Sequence, residues 1–165
     1  MARERIEDLL SINKGYFAIF LLIVIDLSSK FYAQEYLEFG QNIPLIPILD
    51  LLLVYNSGIA FSIFDFNNTM LSLGLSIIGM IVVIYLHSLY KNEKSSISQI
   101  SLILIISGAL GNIIDRLPDG VVTDFLFFHV GHISFFIFNF ADAFISVGAI
   151  LFFSIEFKKY LQNHS

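Results

Sequence analysis

Apolar runs about twenty residues long, separated by short polar breaks, dominate this chain. The first covers approximately residues 15–33 and carries Asp26 and Lys30. The second, 69–90, has no formal charge; the third, 97–116, closes on Asp115-Arg116; the fourth, 136–157, holds Asp142. Each is close to the ~20 residues that a helix needs to cross a bilayer core of ~30 Å. Gly74, Gly79, Gly108, Gly111 and Gly148 fall inside the later runs, where small residues let helices approach closely. The segment 34–68 is long for a loop and not polar. Ile43-Pro44-Leu45-Ile46-Pro47 punctuates it, Ile48 to Tyr55 has strand character, and Asn56-Ser57-Gly58 reads as a turn. The pattern predicts a membrane all-α bundle of four transmembrane helices with a small extracytoplasmic β-sheet, completed by Val121 to Val130. A single domain over residues 1–165 is expected, and no repeat, linker or low-complexity tract divides it.

Composition agrees with a membrane protein. Hydrophobic residues make up 56% and charged residues 14% of the chain, against about 45–50% and about 25% in soluble domains; the mean hydropathy is +0.80. With no cysteine, disulfides, thiol catalysis and thiolate metal sites are excluded together. A net charge of −5 with no basic patch argues against nucleic acid as a partner. The N-terminus carries Arg3, Arg5 and Lys14 among Glu4, Glu7 and Asp8, and the run that follows lacks a small-x-small cleavage site. It reads as a retained first span.

Basic residues set the orientation. Arg3, Arg5, Lys14, Lys91, Lys94, Lys158 and Lys159 lie outside the spans on one side, and segments 34–68 and 117–135 contain no lysine or arginine. By the positive-inside rule both termini are cytoplasmic and those two segments extracytoplasmic.

With that topology and a rise of ~1.5 Å per residue, the ionisable groups of the spans gather at one depth. Asp26 and Lys30 lie in the outer half of span one, and Asn112, Asp115 and Arg116 at the outer end of span three. Asn139 and Asp142 are expected one to two turns below the outer end of span four, on one helix face. Asn56 and Asp124 belong to the outer segments. A carboxylate in or near hydrocarbon is costly and marks a candidate functional site; two that can meet suggest an acid/base pair. Other readings remain open. Asp26 and Lys30, at i and i+4, fit a helix-internal ion pair. Asp115-Arg116 fits a membrane-boundary marker, and Asn139 an interhelical hydrogen bond. Asp142 has no basic residue in its own span near enough to neutralise it. His129 and His132 read as polar loop residues rather than metal ligands.

At these positions the chain resembles lipoprotein signal peptidase, the type II signal peptidase of bacteria. The resemblance is carried by Asp26-Leu27-Ser28-Ser29-Lys30, Asn56-Ser57-Gly58-Ile59-Ala60-Phe61-Ser62 and Gly108-Ala109-Leu110-Gly111-Asn112-Ile113-Ile114-Asp115-Arg116. Val122-Thr123-Asp124-Phe125 and Phe138-Asn139-Phe140-Ala141-Asp142 complete it, in the order of the family. Leu27 replaces a common Gln, Ile59 a small residue and Ile137 a frequent Pro, and none of these removes a polar group from the proposed centre.

The resemblance implies an intramembrane aspartic endopeptidase with Asp124 and Asp142 as catalytic pair. Asn56, Asn112, Asp115, Arg116 and Asn139 are then substrate-binding or supporting residues, and Asp26 and Lys30 structural ones. The implied substrates are diacylglyceryl-modified prolipoproteins, cut immediately before the lipidated cysteine. No cofactor or metal is implied. A monomer in the bacterial inner membrane, in contact with membrane lipid and with its site near the extracytoplasmic face, is expected. A proton-coupled transporter would spread its polar groups along a path through the bilayer, and a non-enzymatic scaffold would use the motifs only for packing. No His-Glu-x-x-His, Gly-x-Ser-x-Gly or Gly-x-Gly-Asp pattern points to another protease chemistry.

Overall fold

Helices and strands alternate in the order α1 (Ala2–Tyr36), β1 (Asn42–Ile46), β2 (Leu49–Asn56), α2 (Thr69–Asn92), α3 (Ser96–Arg116), β3 (Val122–Val130), β4 (Ile133–Phe138) and α4 (Phe140–His164). The computed structural model describes residues 2–58 and 69–164, so Ile59 to Ser62 of the second motif lie outside the described residues. All four helices contain a stretch long and apolar enough to cross a membrane: Ile12–Tyr36, Ser72–Asn92, Ser96–Arg116 and Phe140–Gln162. Phe17, Phe20, Ile77, Ile81, Ile150 and Phe153 point outward and are exposed. Such an inverted surface suits lipid, where the helix satisfies its own backbone and apolar side chains face the tails.

α3 is the central helix, packed against α1, α2 and α4. It starts at Ser95, whose hydroxyl caps the backbone N–H of Ser98. It stops before Pro118, and Gly120 turns the chain with φ +85°. Ile19, Val83, Tyr90, Leu102, Ile106 and Ile113 form the core between α1, α2 and α3. The α3–α4 contact depends on small residues: a Cβ at Gly148 would lie 2.7 Å from the Ser101 carbonyl oxygen. Gly108 is closed off in the same way by the Ala141 carbonyl.

The strands form one antiparallel sheet in the order β1-β2-β3-β4. β2 and β3 were expected; β1 and β4 were not. Pro44, read from sequence as punctuation, sits within edge strand β1, a place that tolerates its missing N–H. The aromatic run Phe136 to Phe138, assigned to the fourth span, is the end of β4 and pairs with β3. The fourth helix therefore begins at Phe140 rather than 136. Hydropathy does not separate a half-buried aromatic strand from the start of a membrane helix, because both are apolar.

In β2, Leu51 stands opposite Leu126 and Val54 opposite Asp124, so two β2 residues face the single residue Phe125. This bulge changes which β2 side chains share a face with Asp124. Asn56 becomes the diagonal neighbour of Asp124, within reach on the same face. At the far end of the sheet Asp50 accepts from Asn42 Nδ2 (2.8 Å) and pairs with His129 Nε2 (3.2 Å). The clasp ties β1, β2 and β3 together. The Asn42 hydrogen bond, with His129 a lesser cause, holds the Asp50 carboxyl below its ordinary range.

Gly111 on α3 faces Asp26 on α1, and a Cβ there would lie 2.6 Å from Asp26 Oδ2. Gly111→Ala is expected to destabilise the protein by about 1–3 kcal/mol, the usual cost of overpacking. At Gly74, among the described residues, a Cβ meets nothing within 4 Å, and Gly74→Ala is expected to be neutral or slightly stabilising. Thermal unfolding of both variants in detergent checks the pair; a Gly111→Ala protein as stable as wild type contradicts the close approach.

Candidate active site

Asp124 sits in the first half of β3 and Asp142 in the first turn of α4, and both line one cavity of about 240 Å³. Asn56, Asn112, Arg116 and apolar residues of α2, α3 and α4 complete its wall. Asp124 is fully buried and Asp142 nearly so.

Three asparagines aim their amides at this pair, and the orientation of each is set by a partner with no choice of role. The Asn56 Oδ1 accepts from the backbone N–H of Gly58 (2.9 Å), so its Nδ2 donates to Asp124 Oδ2 (3.0 Å). The Asn139 Oδ1 accepts from the backbone N–H of Asp142 (2.9 Å), so its Nδ2 donates to Asp124 Oδ1 (2.6 Å). The Asn112 Oδ1 accepts from Lys30 Nζ (2.8 Å), so its Nδ2 donates to Asp142 Oδ1 (2.8 Å). An amide whose oxygen is engaged by a donor must present its nitrogen on the other side.

Asn139 is not on a helix face, as the sequence suggested, but is the residue before α4. Its side chain caps the Asp142 N–H, and Asp142 Oδ2 reaches back to the Asn139 N–H at 3.4 Å. This reciprocal capping box fixes Asp142 at the helix start. Asp142 therefore lies higher in α4 than one to two turns down, at the end where the helix dipole favours negative charge.

Beneath the pair, Lys30 is almost wholly buried. It pairs with Asp26 Oδ2 at 2.8 Å and Asp115 Oδ2 at 3.4 Å. Asp26 also accepts from the backbone N–H of Ala141 (2.8 Å), tying α1 to the first turn of α4. Asp115 accepts from the backbone N–H of Thr123 (2.7 Å). Its reading as a mere boundary marker is replaced by a role in holding β3. Arg116 donates through Nη2 to the Gly58 carbonyl (2.7 Å) and lines the cavity; its Nε is buried with no acceptor among the described residues. His129 lies in the sheet clasp and His132 in the exposed turn after β3, both away from the cavity.

The family model described as Signal peptidase (SPase) II matches residues 18–158. A lipoprotein signal peptidase of Bartonella tribocorum is 39% identical over 141 residues, covering 84% of this chain and 83% of its relative. One of Mesorhizobium japonicum is 44% identical over 132 residues, covering 78% and 76%. A bacterial membrane enzyme solved by the in meso method at 2.3 Å resolution superposes with a TM-score of 0.81 at 27% identity, over 93% of each chain. This chain belongs to the signal peptidase II family. Its four apolar helices make it a multi-pass membrane member of that family.

Some signal peptidase II residues at this site carry roles that the amino-acid pattern does not announce. Thr123 is held twice, by Asp115 at its N–H and by Gln34 Nε2 at its hydroxyl (2.6 Å). Gln34, one turn beyond Lys30 on α1, gives no sequence signal. Gly111 stood in a quoted motif, but its reason, room for Asp26, depends on how α1 and α3 cross.

Burial, reinforced by the negative charge of Asp142, pushes the Asp124 carboxyl up to about 7. The Asn56 and Asn139 amides pull in the opposite direction. Asn139→Ser keeps a good cap for α4 but removes the amide donor to Asp124. The Asp124 midpoint is expected to rise further, with little change in melting temperature. Infrared titration of the protonated-carboxyl band measures it, and an unchanged or lowered midpoint contradicts the assigned donor.

Proposed function

We propose that this protein is an aspartic endopeptidase that removes the signal peptide from diacylglyceryl-modified prolipoproteins, cutting immediately before the lipidated cysteine. The observation that carries the mechanism is the pair of buried carboxylates on one cavity wall, each oriented by an amide of fixed direction. Lipoprotein signal peptidase relatives and family membership support the substrate class.

Hydrolysis of a peptide bond needs a nucleophile and a proton for the departing nitrogen. Two carboxyl groups against one cavity cannot both ionise cheaply, so they hold one proton between them. The ionised member takes a proton from water as that water attacks the scissile carbonyl carbon. The protonated member donates to the carbonyl oxygen, giving a tetrahedral diol. Collapse of the diol breaks the C–N bond; the proton taken from water passes to the amine, and one hydroxyl proton returns to the carboxylate that had donated it, restoring the pair. Arg116, which lines the cavity with Asn56 and Asn112, is suited to a substrate carbonyl or the ester region of the lipid. No step calls for a cofactor or metal.

The same proposal sets the topology: both termini cytoplasmic, with the sheet and the carboxylate pair near the extracytoplasmic face. The chain has no cysteine, so single-cysteine variants test it directly. A cysteine at Gln41 is expected to react with an impermeant maleimide from the outside of intact cytoplasmic-membrane spheroplasts, and one at Asn92 only after permeabilisation. The reverse pattern inverts the protein.

Activity is tested with purified diacylglyceryl-modified prolipoprotein in detergent. Wild type is expected to release the signal peptide, and Asp124→Asn and Asp142→Asn to fall by at least about 10³-fold at unchanged folding. A folded wild type inert on several such substrates removes the functional reading; a single inert variant leaves a peptidase without this pair. With the Asp124 carboxyl at about 7, kcat/KM is expected to be bell-shaped and to fall on its alkaline side near pH 7, as the pair loses its one proton. An alkaline limb beyond pH 9 places the titrating acid elsewhere.

A further inference from the structure

The three amides that hold the carboxylate pair are not equivalent. Asn56 and Asn139, which serve Asp124, have their own oxygens bound by neutral backbone N–H groups of Gly58 and Asp142. Asn112, which serves Asp142, has its oxygen bound by a full positive charge, the Lys30 ammonium at 2.8 Å. A donor polarised by a cation makes a stronger hydrogen bond to an anion, the more so where water is excluded. Asp142 also sits at the N-terminal end of α4, and Asp124 on a strand with no comparable dipole.

We propose that Lys30 is a positioning residue of the reaction, acting through Asn112 to place the negative charge of the carboxylate pair on Asp142 and leave the proton on Asp124. The proposal rests on the aspartate-pair reading above and adds a division of labour within it. Asp142 is then the base that takes the proton of the attacking water, and Asp124 the acid that donates to the scissile carbonyl. The Asn112 amide moves no proton; it transmits the field of Lys30 and fixes which Asp142 oxygen is engaged. Rotation of Asn112 is closed off, because its NH2 would then face an ammonium.

Among the described residues, the charged groups around Asp142 come from β3, α3 and α1. On β3 stands Asp124, which opposes its ionisation, and on α3 Arg116, which favours it. On α1 and α3 lie Lys30, Asp26 and Asp115; Lys30 is joined to Asp142 by hydrogen bonds through Asn112, and Asp26 reaches the same helix turn through the Ala141 N–H. Asp26 and Asp115 dilute the Lys30 charge without cancelling its effect on Asn112, since the ammonium proton on that oxygen is nearest. Asp124 is less disposed to ionise than an ordinary carboxyl, by burial first and by the Asp142 charge second.

The bland alternative is that Lys30 only pins α1 to α3. The two roles separate in the pH profile. In a pair with the charge on Asp142, the acid limb of kcat/KM reports protonation of Asp142, and the alkaline limb loss of the Asp124 proton. Removing the Lys30 charge raises the acid limb most. A purely structural lysine lowers activity evenly across pH and leaves both limbs in place.

The test uses the full-length enzyme in detergent with a diacylglyceryl-modified prolipoprotein, comparing wild type, Lys30→Met, Asn112→Ala and the double variant. Lys30→Met is expected to move the acid limb up by about one pH unit, a loss of about tenfold on the acid side, and the alkaline limb by less. Asn112→Ala, which keeps the Lys30 ion pairs with Asp26 and Asp115 but removes its hydrogen bond, is expected to shift the acid limb by a similar amount while lowering the melting temperature less than Lys30→Met does. The double variant should shift it no further than either single one, because both cut the same path. Shifts that add, or limbs that stay fixed in Asn112→Ala, overturn the proposal even where Lys30→Met fails to fold. Full activity of Asp124→Asn or Asp142→Asn removes the pair itself, an outcome distinct from fixed limbs in an enzyme whose aspartates are both required.

Discussion

Burial of the Lys30 ammonium between Asp26, Asn112 and Asp115 is the interaction on which the rest of this structure depends. An ion taken out of water costs several kcal/mol unless opposing charges and hydrogen bonds meet it on every side. The ammonium donates to Asn112 Oδ1 and lies within ion-pair range of both Asp26 and Asp115, so its charge is met by two carboxylates and an amide oxygen. Each partner then reaches onward. Asp26 takes the first turn of α4 at Ala141, Asp115 takes β3 at Thr123, and Asn112 takes Asp142. One buried charge therefore sets the positions of α1, α3, α4 and the strand that carries Asp124.

The charge balance explains why a carboxylate pair is tolerable above it. Asp26 and Asp115 carry two negative charges, and Lys30 and Arg116 two positive ones, so this frame is neutral before the pair is counted. A pair holding one proton adds a single negative charge, spread against the N-terminus of α4 and four hydrogen-bond donors. A fully ionised pair would add a second with no cation left to meet it. The Asp124 carboxyl, raised by burial first and by the Asp142 charge second, agrees with that limit. Under the proposed mechanism the charge balance of the whole cluster allows the pair one proton, and the field of Lys30 leaves it on Asp124.

Much of this was legible in the chain because depth along a membrane helix follows from counting residues. Asp26, Lys30, Asn112, Asp115, Arg116 and Asp142 had to converge once the spans and their directions were set. What failed did so where hydropathy is blind. Phe136 to Phe138 are as apolar in an interfacial strand as in a helix, so the fourth span began four residues early and Asn139 was placed inside it. A local signal was present: Asn139 followed three residues later by Asp142 is a helix-start pattern, and it outranks an apolar run as a boundary marker. β1 was hidden by Pro44, which reads as a break until the strand is known to lie at an edge. Asn56 could be named but not placed, since its reach to Asp124 depends on a bulge in β2, a property of pairing with a strand some seventy residues away.

The two aspartates stand on supports of different kinds, and the difference has a mechanical consequence. Asp142 is built into a helix terminus and cannot move without unmaking its own cap. Asp124 rides on a strand whose neighbour Thr123 is anchored twice, by Asp115 on α3 and by Gln34 on α1. Displacing β3 from the bundle therefore breaks two hydrogen bonds before it disturbs the carboxylate, while the far end of the sheet is held by the Asp50 clasp, its own ladder and the apolar packing of Leu49, Leu51 and Leu126 with Ala33 of α1. In the proposed peptidase, anchoring β3 at Thr123 keeps the Asp124 carboxylate fixed beside the Asp142 helix start, which cleavage at one defined bond requires.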